Sequence, residues 1–240
     1  MDELHNLYDD TYFAEYPGGE SYAADVAQRR FEATRRLHWI QKYVASGNLL
    51  EIGAAEGEFL DVVREAGYGV CGVEPASGLA EKARAARGLD VRTGFIEEVE
   101  LPDIQFDAIC MWHVLEHITE PHESVRRLRQ TIASDGHLFL EIPNIASVKA
   151  KLQGTEWFNL DPRHHVAFYT IEQLRRLLDD CGFELIETTS VSGFSYQRPG
   201  RTLRPRELAA RVLETAQTKT FSGRPHPWKH ELLRAVATPR

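Results

Sequence analysis

Leu49-Leu50-Glu51-Ile52-Gly53-Ala54-Ala55-Glu56-Gly57-Glu58-Phe59-Leu60 decides the fold of this chain. An apolar strand runs into a tight turn of small residues and then into a helix. Gly53 and Gly57, with Ala54 and Ala55 between them, let backbone approach a ligand closely, and a carboxylate at the strand end can bind sugar or ammonium groups. The stretch predicts a cradle for a nucleoside-containing cofactor.

Working outward, strand and helix alternate. Strands are expected at 48–52, 69–74, 90–93, 106–112 and 136–142, separated by helices at 57–66, 77–86 and 121–133. This spacing predicts βαβ units, a parallel sheet and right-handed crossovers. Upstream, 21–46 reads as one long helix stopped by Gly47-Asn48. Downstream, Pro143-Asn144 ends the fifth strand and a less regular segment runs to Phe168. A helix capped by Thr170 follows, then a sixth strand at 183–191. A seventh is expected to begin at Gly193 to Tyr196, and 207–219 reads as helical.

The 240 residues suffice for one full core, and 42% hydrophobic with 27% charged residues describe an ordinary globular chain. No apolar run approaches the roughly eighteen residues of a membrane helix, and the acidic, tyrosine-rich start lacks the pattern of a signal peptide. A cytoplasmic location without membrane contact is expected. Cys71, Cys110 and Cys181 stand singly, without C-x-x-C spacing, and read as buried thiols. The net charge of −8 hides an asymmetry: the chain from Gly193 onward carries about +7 and the rest about −15.

In doubly wound sheets ligands sit beyond the carboxyl ends of the strands, where strand order reverses. The first strand delivers Glu51 and the small-residue turn there. The second ends in Glu74-Pro75, roughly twenty residues on, where a carboxylate can accept from ribose hydroxyls. Gly94-Phe95-Ile96-Glu97 follows the third strand, and Trp112-His113-Val114-Leu115-Glu116-His117 follows the fourth. A dinucleotide site would place glycine at Ala55 and would not set Glu56 beside a pyrophosphate. A sulfonium cofactor with an amino-acid tail suits acidic surroundings.

With these residues in place, the chain resembles class I S-adenosylmethionine-dependent methyltransferases from about Leu49 to Val191. LLEIGAAEGEFL is similar to the first motif of that family, VCGVEPA to its second, and FDAICMWHVLEHITEP to its fourth-strand motif. VLEHI, PN and HHVAFYTIEQLRRLLDDCGF resemble the branch that modifies small molecules, including ubiquinone-biosynthesis O-methyltransferases and natural-product enzymes. The resemblance implies a Rossmann-like, doubly wound, seven-stranded α/β sheet with an N-terminal helical cap (1–46), a catalytic domain (47–193) whose segment 144–169 covers the substrate, and a basic C-terminal extension (194–240). It implies S-adenosyl-L-methionine as cofactor, with Glu51, Gly53 and Gly57 along the methionine part, Glu74 at the ribose, and Ala54, Ala55, Pro75 and Trp112 also among the cofactor-binding residues. Ile96 and Glu97 would lie near adenine, where Phe95 occupies the position at which many relatives carry an Asp.

Methyl transfer to a hydroxyl of a small metabolite, in specialised or glycan metabolism, is the expected reaction, with transfer to nitrogen or carbon as alternatives. Histidine has the pKa for a base, and the order of candidates is His117, His165, His113. His164 and His165, with Trp157 and Phe158, fall in the covering segment. His113-x-x-Glu116-His117 also has the H-x-x-E-H spacing of a zinc protease, for which no further zinc ligand is signalled; the segment resembles that of small-RNA 2'-O-methyltransferases, which hold a divalent ion with a Glu and His pair after the fourth strand and a later His, a place His164 or His165 could take, but His113 stands where their leading Glu does, and no metal is expected. Tyr8, Tyr12, Phe13, Tyr16 and Tyr22 resemble the cap such enzymes fold over the site. Arg198, Arg201, Arg204 and Arg206 could meet a phosphate or carboxylate on the substrate; read instead as an electrostatic footprint, the basic tail suggests an RNA methyltransferase, a weaker reading in an acidic chain without a recognition module.

Overall fold

The computed structural model describes residues 26–162, 164–192 and 230–240. Five expectations lie outside them: the N-terminal aromatics, a strand beginning at 193–196, the helix at 207–219, the arginines at 198–206 and the electrostatic footprint built on them. Among the described residues the elements run α1 (Val26–Ile40), β1 (Asn48–Ile52), α2 (Glu58–Glu65), β2 (Gly69–Glu74), α3 (Ser77–Arg87), β3 (Val91–Thr93), β4 (Phe106–Trp112), a 3-10 turn (Leu115–His117), α4 (Pro121–Thr131), β5 (Ile132–Pro143), α5 (Val148–Gln153), α6 (Ile171–Asp180), β6 (Phe183–Val191) and β7 (Leu232–Pro239).

The seven strands form one sheet in the order β3-β2-β1-β4-β5-β7-β6. β1 to β5 pair in parallel and β7 runs antiparallel between β5 and β6. The order turns back between β1 and β4, which is the switch point where doubly wound sheets bind ligands. One face carries Leu50, Ile52, Val73, Met111, Leu140 and Ile142 against Leu128 of α4 and Leu174 and Leu178 of α6. The other packs Leu49, Cys110, Trp112 and Phe139 against Leu37 and Ile40 of α1 and Phe59 and Leu60 of α2. All three cysteines are buried free thiols, and among the described residues no helix is long and apolar enough to cross a membrane.

Three differences from the sequence reading have local causes. The first helix ends at Ile40 rather than Ser46, because the Lys42 and Tyr43 amides turn to the carbonyls three residues back, Trp39 and Ile40. The covering segment is more regular than expected: the Ser147 hydroxyl accepts from the Ala150 amide and caps α5. The seventh strand among the described residues lies in the last ten, which the sequence reading assigned to the C-terminal extension. Leu232, Leu233, Ala235, Val236 and Ala237 are buried there, and the strand fills a full register with Leu138–Pro143 on one side and Phe183–Val191 on the other. The Pro and Arg content of the preceding stretch masked this short apolar run. Thr170 caps α6 as expected, in a capping box with Gln173.

Because Leu233 is fully buried, Leu233→Ala should cost about 2–5 kcal/mol in urea unfolding. A change within about 0.5 kcal/mol, as for an exposed position, would contradict a core role for β7.

Candidate active site

β1, β2, β4 and β5 each bring a charged or aromatic residue to the carboxyl edge. Glu51 is paired across to Cys110, Trp112 to Glu141, and Glu141 in turn to Arg234 of β7. Side chains alternate along a strand, so Glu51, Trp112, Glu141 and Arg234 share the face covered by α1 and α2. A cavity of about 80 Å³ opens there. Its floor is Glu51, Gly53, Ala54, Ala55 and Trp112; its walls are Glu58 and Phe59 of α2 and Arg29, Glu32, Ala33 and Arg36 of α1.

The turn after β1 is held from β2. Glu74, 3% exposed, accepts the Ala55 amide at 2.8 Å on one carboxylate oxygen and the Ala76 amide at 2.9 Å on the other. That grip keeps Ala55 in the left-handed region at φ 47°, a conformation that costs a non-glycine residue about 1–2 kcal/mol. Burial raises the Glu74 pKa and the two amides oppose the rise. The two glycines serve packing: a Cβ on Gly53 (φ 77°) would stand 2.5 Å from Val114 Cγ2, and one on Gly57 (φ 79°) 2.5 Å from Leu89 Cδ1. Close approach of the β1 and β4 ends, and of α2 to its neighbours, therefore requires them.

Glu51 is buried, and its Oε2 has no hydrogen-bond partner among the described residues. Burial, first, and then Glu74 and Glu58 push its pKa well up against the pull of Arg36. An orphaned buried acceptor on the cavity wall fits a cationic donor on the ligand. Arg36 reaches Glu141 at 2.7 Å and lies over the Trp112 ring at 5.0 Å. Arg29 ties α1 to the turn through Glu58 at 2.8 Å and Glu56 at 3.5 Å.

Beyond β4 the chain turns at His113, a second non-glycine residue with positive φ, 57°. Its amide donates to the Glu141 carbonyl at 2.8 Å, and its ring lies 3.4 Å from the Glu141 carboxylate and 3.5 Å from that of Glu116. Burial disfavours its charged form, but the two carboxylates prevail and raise its pKa to about 9. Glu141 would be raised by burial, yet Arg36, His113 and Arg234 hold it well below the usual carboxylate range. His117 packs edge to face on His165 at 4.7 Å between ring centroids. The His117 Nδ1 is 2.9 Å from the His164 carbonyl, and the His165 Nδ1 is 2.9 Å from the Asn159 carbonyl. Burial lowers the His117 pKa. His164 instead meets the Asp161 carboxylate at 2.7 Å.

The fold thus brings Glu51, Gly53, Ala54, Ala55 and Trp112 to one cavity, with Glu74 behind the turn and Pro75 half-buried after it. His113, His117 and His165 adjoin through Glu141 and Glu116. Ile96 stands apart, packed in the core with Val99 and Phe106, and the Glu97 carboxylate accepts the Ser124 hydroxyl. Trp157 is buried and Phe158 exposed. Sequence reasoning missed Arg29, Glu32 and Arg36, although their i, i+3, i+7 spacing marks one helix face. It also missed Glu141, read only as part of a strand.

A protein-family model described as a methyltransferase domain matches residues 22–188. A ubiquinone biosynthesis O-methyltransferase from Azoarcus sp. is 28% identical over 176 residues, 67% of this chain and 74% of that one. The C-methyltransferase NovU from Streptomyces niveus is 27% identical over 158 residues, 61% of this chain and 36% of that one. Among solved structures, a SAM-dependent methyltransferase from Thermotoga maritima, described as a possible histamine N-methyltransferase, superposes with a TM-score of 0.63 at 19% identity, covering 91% of this chain and 94% of that one.

Ala55→Gly should leave stability unchanged or raise it by up to about 1 kcal/mol, because glycine adopts the left-handed region freely. Gly53→Ala should lower it by more than about 1 kcal/mol, from positive φ and the Val114 contact together. Urea unfolding of both variants tests the pair, and equal effects would contradict this account of the turn.

Proposed function

We propose a hydroxyl of a small molecule as the methyl acceptor of this chain, which belongs to the S-adenosylmethionine-dependent methyltransferase family that the match over residues 22–188 defines. When bound, the cofactor supplies an electrophilic methyl carbon on a sulfonium. The cavity residues suit it: Glu51 for the ammonium group, Arg36 and Arg29 for the carboxylate, and Ala54 and Trp112 as the walls of the methionine part. Each Glu74 oxygen keeps a second lone pair beside its backbone bond, enough to accept a ribose hydroxyl. On the adenine side Ile96 would offer backbone, since the Glu97 carboxylate is engaged by Ser124.

The observation that carries the choice of oxygen is the His117–His165 pair. Each ring presents Nδ1 to a backbone carbonyl. Donation from Nδ1 leaves the lone pair on Nε2 and fixes the ring, which is what a group receiving a hydroxyl proton requires. A neutral amine held in line needs no such pair, whereas a hydroxyl, or a carbon that must first lose a proton, does. The named relatives divide between oxygen and carbon, and the solved neighbour is associated with nitrogen. The oxygen reading agrees with the ubiquinone relative, which spans more of this chain than NovU does.

His117→Ala should lower turnover on a panel of phenolic and alcoholic acceptors at least about 100-fold while calorimetric affinity for S-adenosylhomocysteine stays within about twofold. Undiminished turnover would remove His117 from the chemistry. Glu74→Ala should weaken S-adenosylhomocysteine binding by about 1.5–3 kcal/mol through lost charge-assisted bonds, and unchanged affinity would refute the ribose assignment.

A further inference from the structure

The segment 144–169 is pinned to the body of the fold at two places. Asn144 and Tyr169 form a backbone bridge that closes its base, both residues being buried. Near its end, the Val166 and Ala167 amides donate to the Glu116 carbonyl at 2.9 and 3.1 Å. These contacts set the segment against the turn after β4, and they leave the orientation of the imidazoles to other bonds.

That orientation comes from carbonyls. A carbonyl oxygen only accepts, so a ring nitrogen bonded to it carries the hydrogen. The His117 Nδ1 meets the His164 carbonyl and the His165 Nδ1 the Asn159 carbonyl, each at 2.9 Å, so both rings keep their hydrogen on Nδ1. Burial lowers the His117 pKa; the ring is neutral near neutral pH, and the nitrogen that keeps the hydrogen decides what the other can do. A neutral imidazole in water favours hydrogen on Nε2, and reversing that preference requires the accepting carbonyls to be held in place.

Asp161 does the holding. Its carboxylate takes the His164 Nδ1–H at 2.7 Å, and its carbonyl accepts the His164 amide at 3.1 Å and the His165 amide at 2.8 Å. The residue whose carbonyl orients His117 is thus fixed by both ring and amide, and the residue whose ring packs on His117 is fixed by its amide.

We propose that Asp161 is a positioning residue for methyl transfer, holding His117 and His165 as Nδ1–H tautomers with their lone pairs on Nε2. On the hydroxyl reading above, on which the catalytic consequence rests, the Nε2 lone pair takes the proton that the acceptor hydroxyl gives up. A ring with its hydrogen on Nε2 would present a donor there and could not take it. Control of the tautomer does not itself depend on that reading.

The test uses the full chain carrying histidine labelled with heavy nitrogen, read by long-range proton–nitrogen correlation spectra at about pH 8, above the ordinary histidine pKa. Difference spectra with His117→Gln and His165→Gln assign the two rings among the ten histidines. In the parent chain both should show an unprotonated Nε2. Asp161→Ala should move His117 toward the Nε2–H form, whereas Asp161→Asn, which keeps an oxygen for the His164 ring, should retain the parent pattern. On the acceptor panel, Asp161→Ala should lower kcat at least about tenfold with KM within about twofold. S-adenosylhomocysteine affinity and the thermal melt report that each variant is folded. If Asp161→Ala does not fold, His164→Ala, which removes the ring that the carboxylate holds, decides by the same His117 signal. A protonated Nε2 on either ring of the parent, His117 signals alike in parent and Asp161→Ala, or undiminished kcat in Asp161→Ala would overturn the proposal. Undiminished turnover in His117→Ala beside a shifted tautomer in Asp161→Ala would instead remove the hydroxyl reading and leave the tautomer control standing.

Discussion

The arrangement of the candidate site depends on one buried carboxylate. Glu141 has no exposed surface, yet its two oxygens meet Arg36 at 2.7 Å and Arg234 at 2.8 Å, and His113 lies 3.4 Å away. These partners come from the first described helix, the last strand and the turn after β4; Arg36 and Arg234 lie 105 and 93 residues from Glu141 along the chain. Removing one partner from such a buried pair typically costs about 3–5 kcal/mol, so Glu141 ties α1, β7 and the turn after β4 together by charge. Arg36 rests on Trp112 and Arg234 on Trp39, at 5.0 and 4.6 Å from the ring centroids. The aromatic floor and the charge cluster are therefore a single unit.

A similar device stands on the other side of the switch point. The non-glycine residues with positive φ among the described residues, Ala55 and His113, follow β1 and β4, and each is held from the strand beyond. Glu74 at the end of β2 takes the Ala55 amide with its carboxylate, and Glu141 near the end of β5 takes the His113 amide with its carbonyl. Strained backbone persists where its surroundings over-determine it. The two β1 and β4 termini are thereby turned toward each other, which brings Gly53 against Val114 and sets the cavity beside the histidine cluster.

Sequence reading found what periodicity and turn chemistry encode. β1, β2, β4 and β6 fall at the expected residues, and Thr170 caps its helix, because these depend on neighbours within a few positions. It placed Glu51, Glu74 and Trp112 at strand ends by the same logic. It did not find Glu141, whose partners are set by strand order and by the docking of α1; it offered His164 or His165 as the later histidine beside Glu116 and His117, and the fold brings His165 there from nearly fifty residues on. β7 escaped because its short apolar run follows a stretch rich in proline and arginine. The expectation that Glu97 would reach adenine failed to foresee Ser124 on α4, a competing donor that only tertiary packing supplies.

The placement of buried charge argues that this edge of the sheet is arranged for chemistry rather than for stability. Glu51, Glu74, Glu116, Glu141 and Arg234 are all under 9% exposed, and all stand at or just beyond the edge where β1, β2, β4 and β5 end and β7 begins. Apolar residues of similar volume would hold a fold of this size at least as well, since the desolvation of an ion pair usually matches or exceeds its Coulombic gain. The opposite face follows that rule, built mainly of Leu, Ile, Val and Met. Two of the buried carboxylates, Glu51 and Glu116, moreover keep oxygens without hydrogen bonds, which packing alone would select against. One borders the cavity beyond β1, and the other lies 3.5 Å from the His113 ring beside the histidine pair.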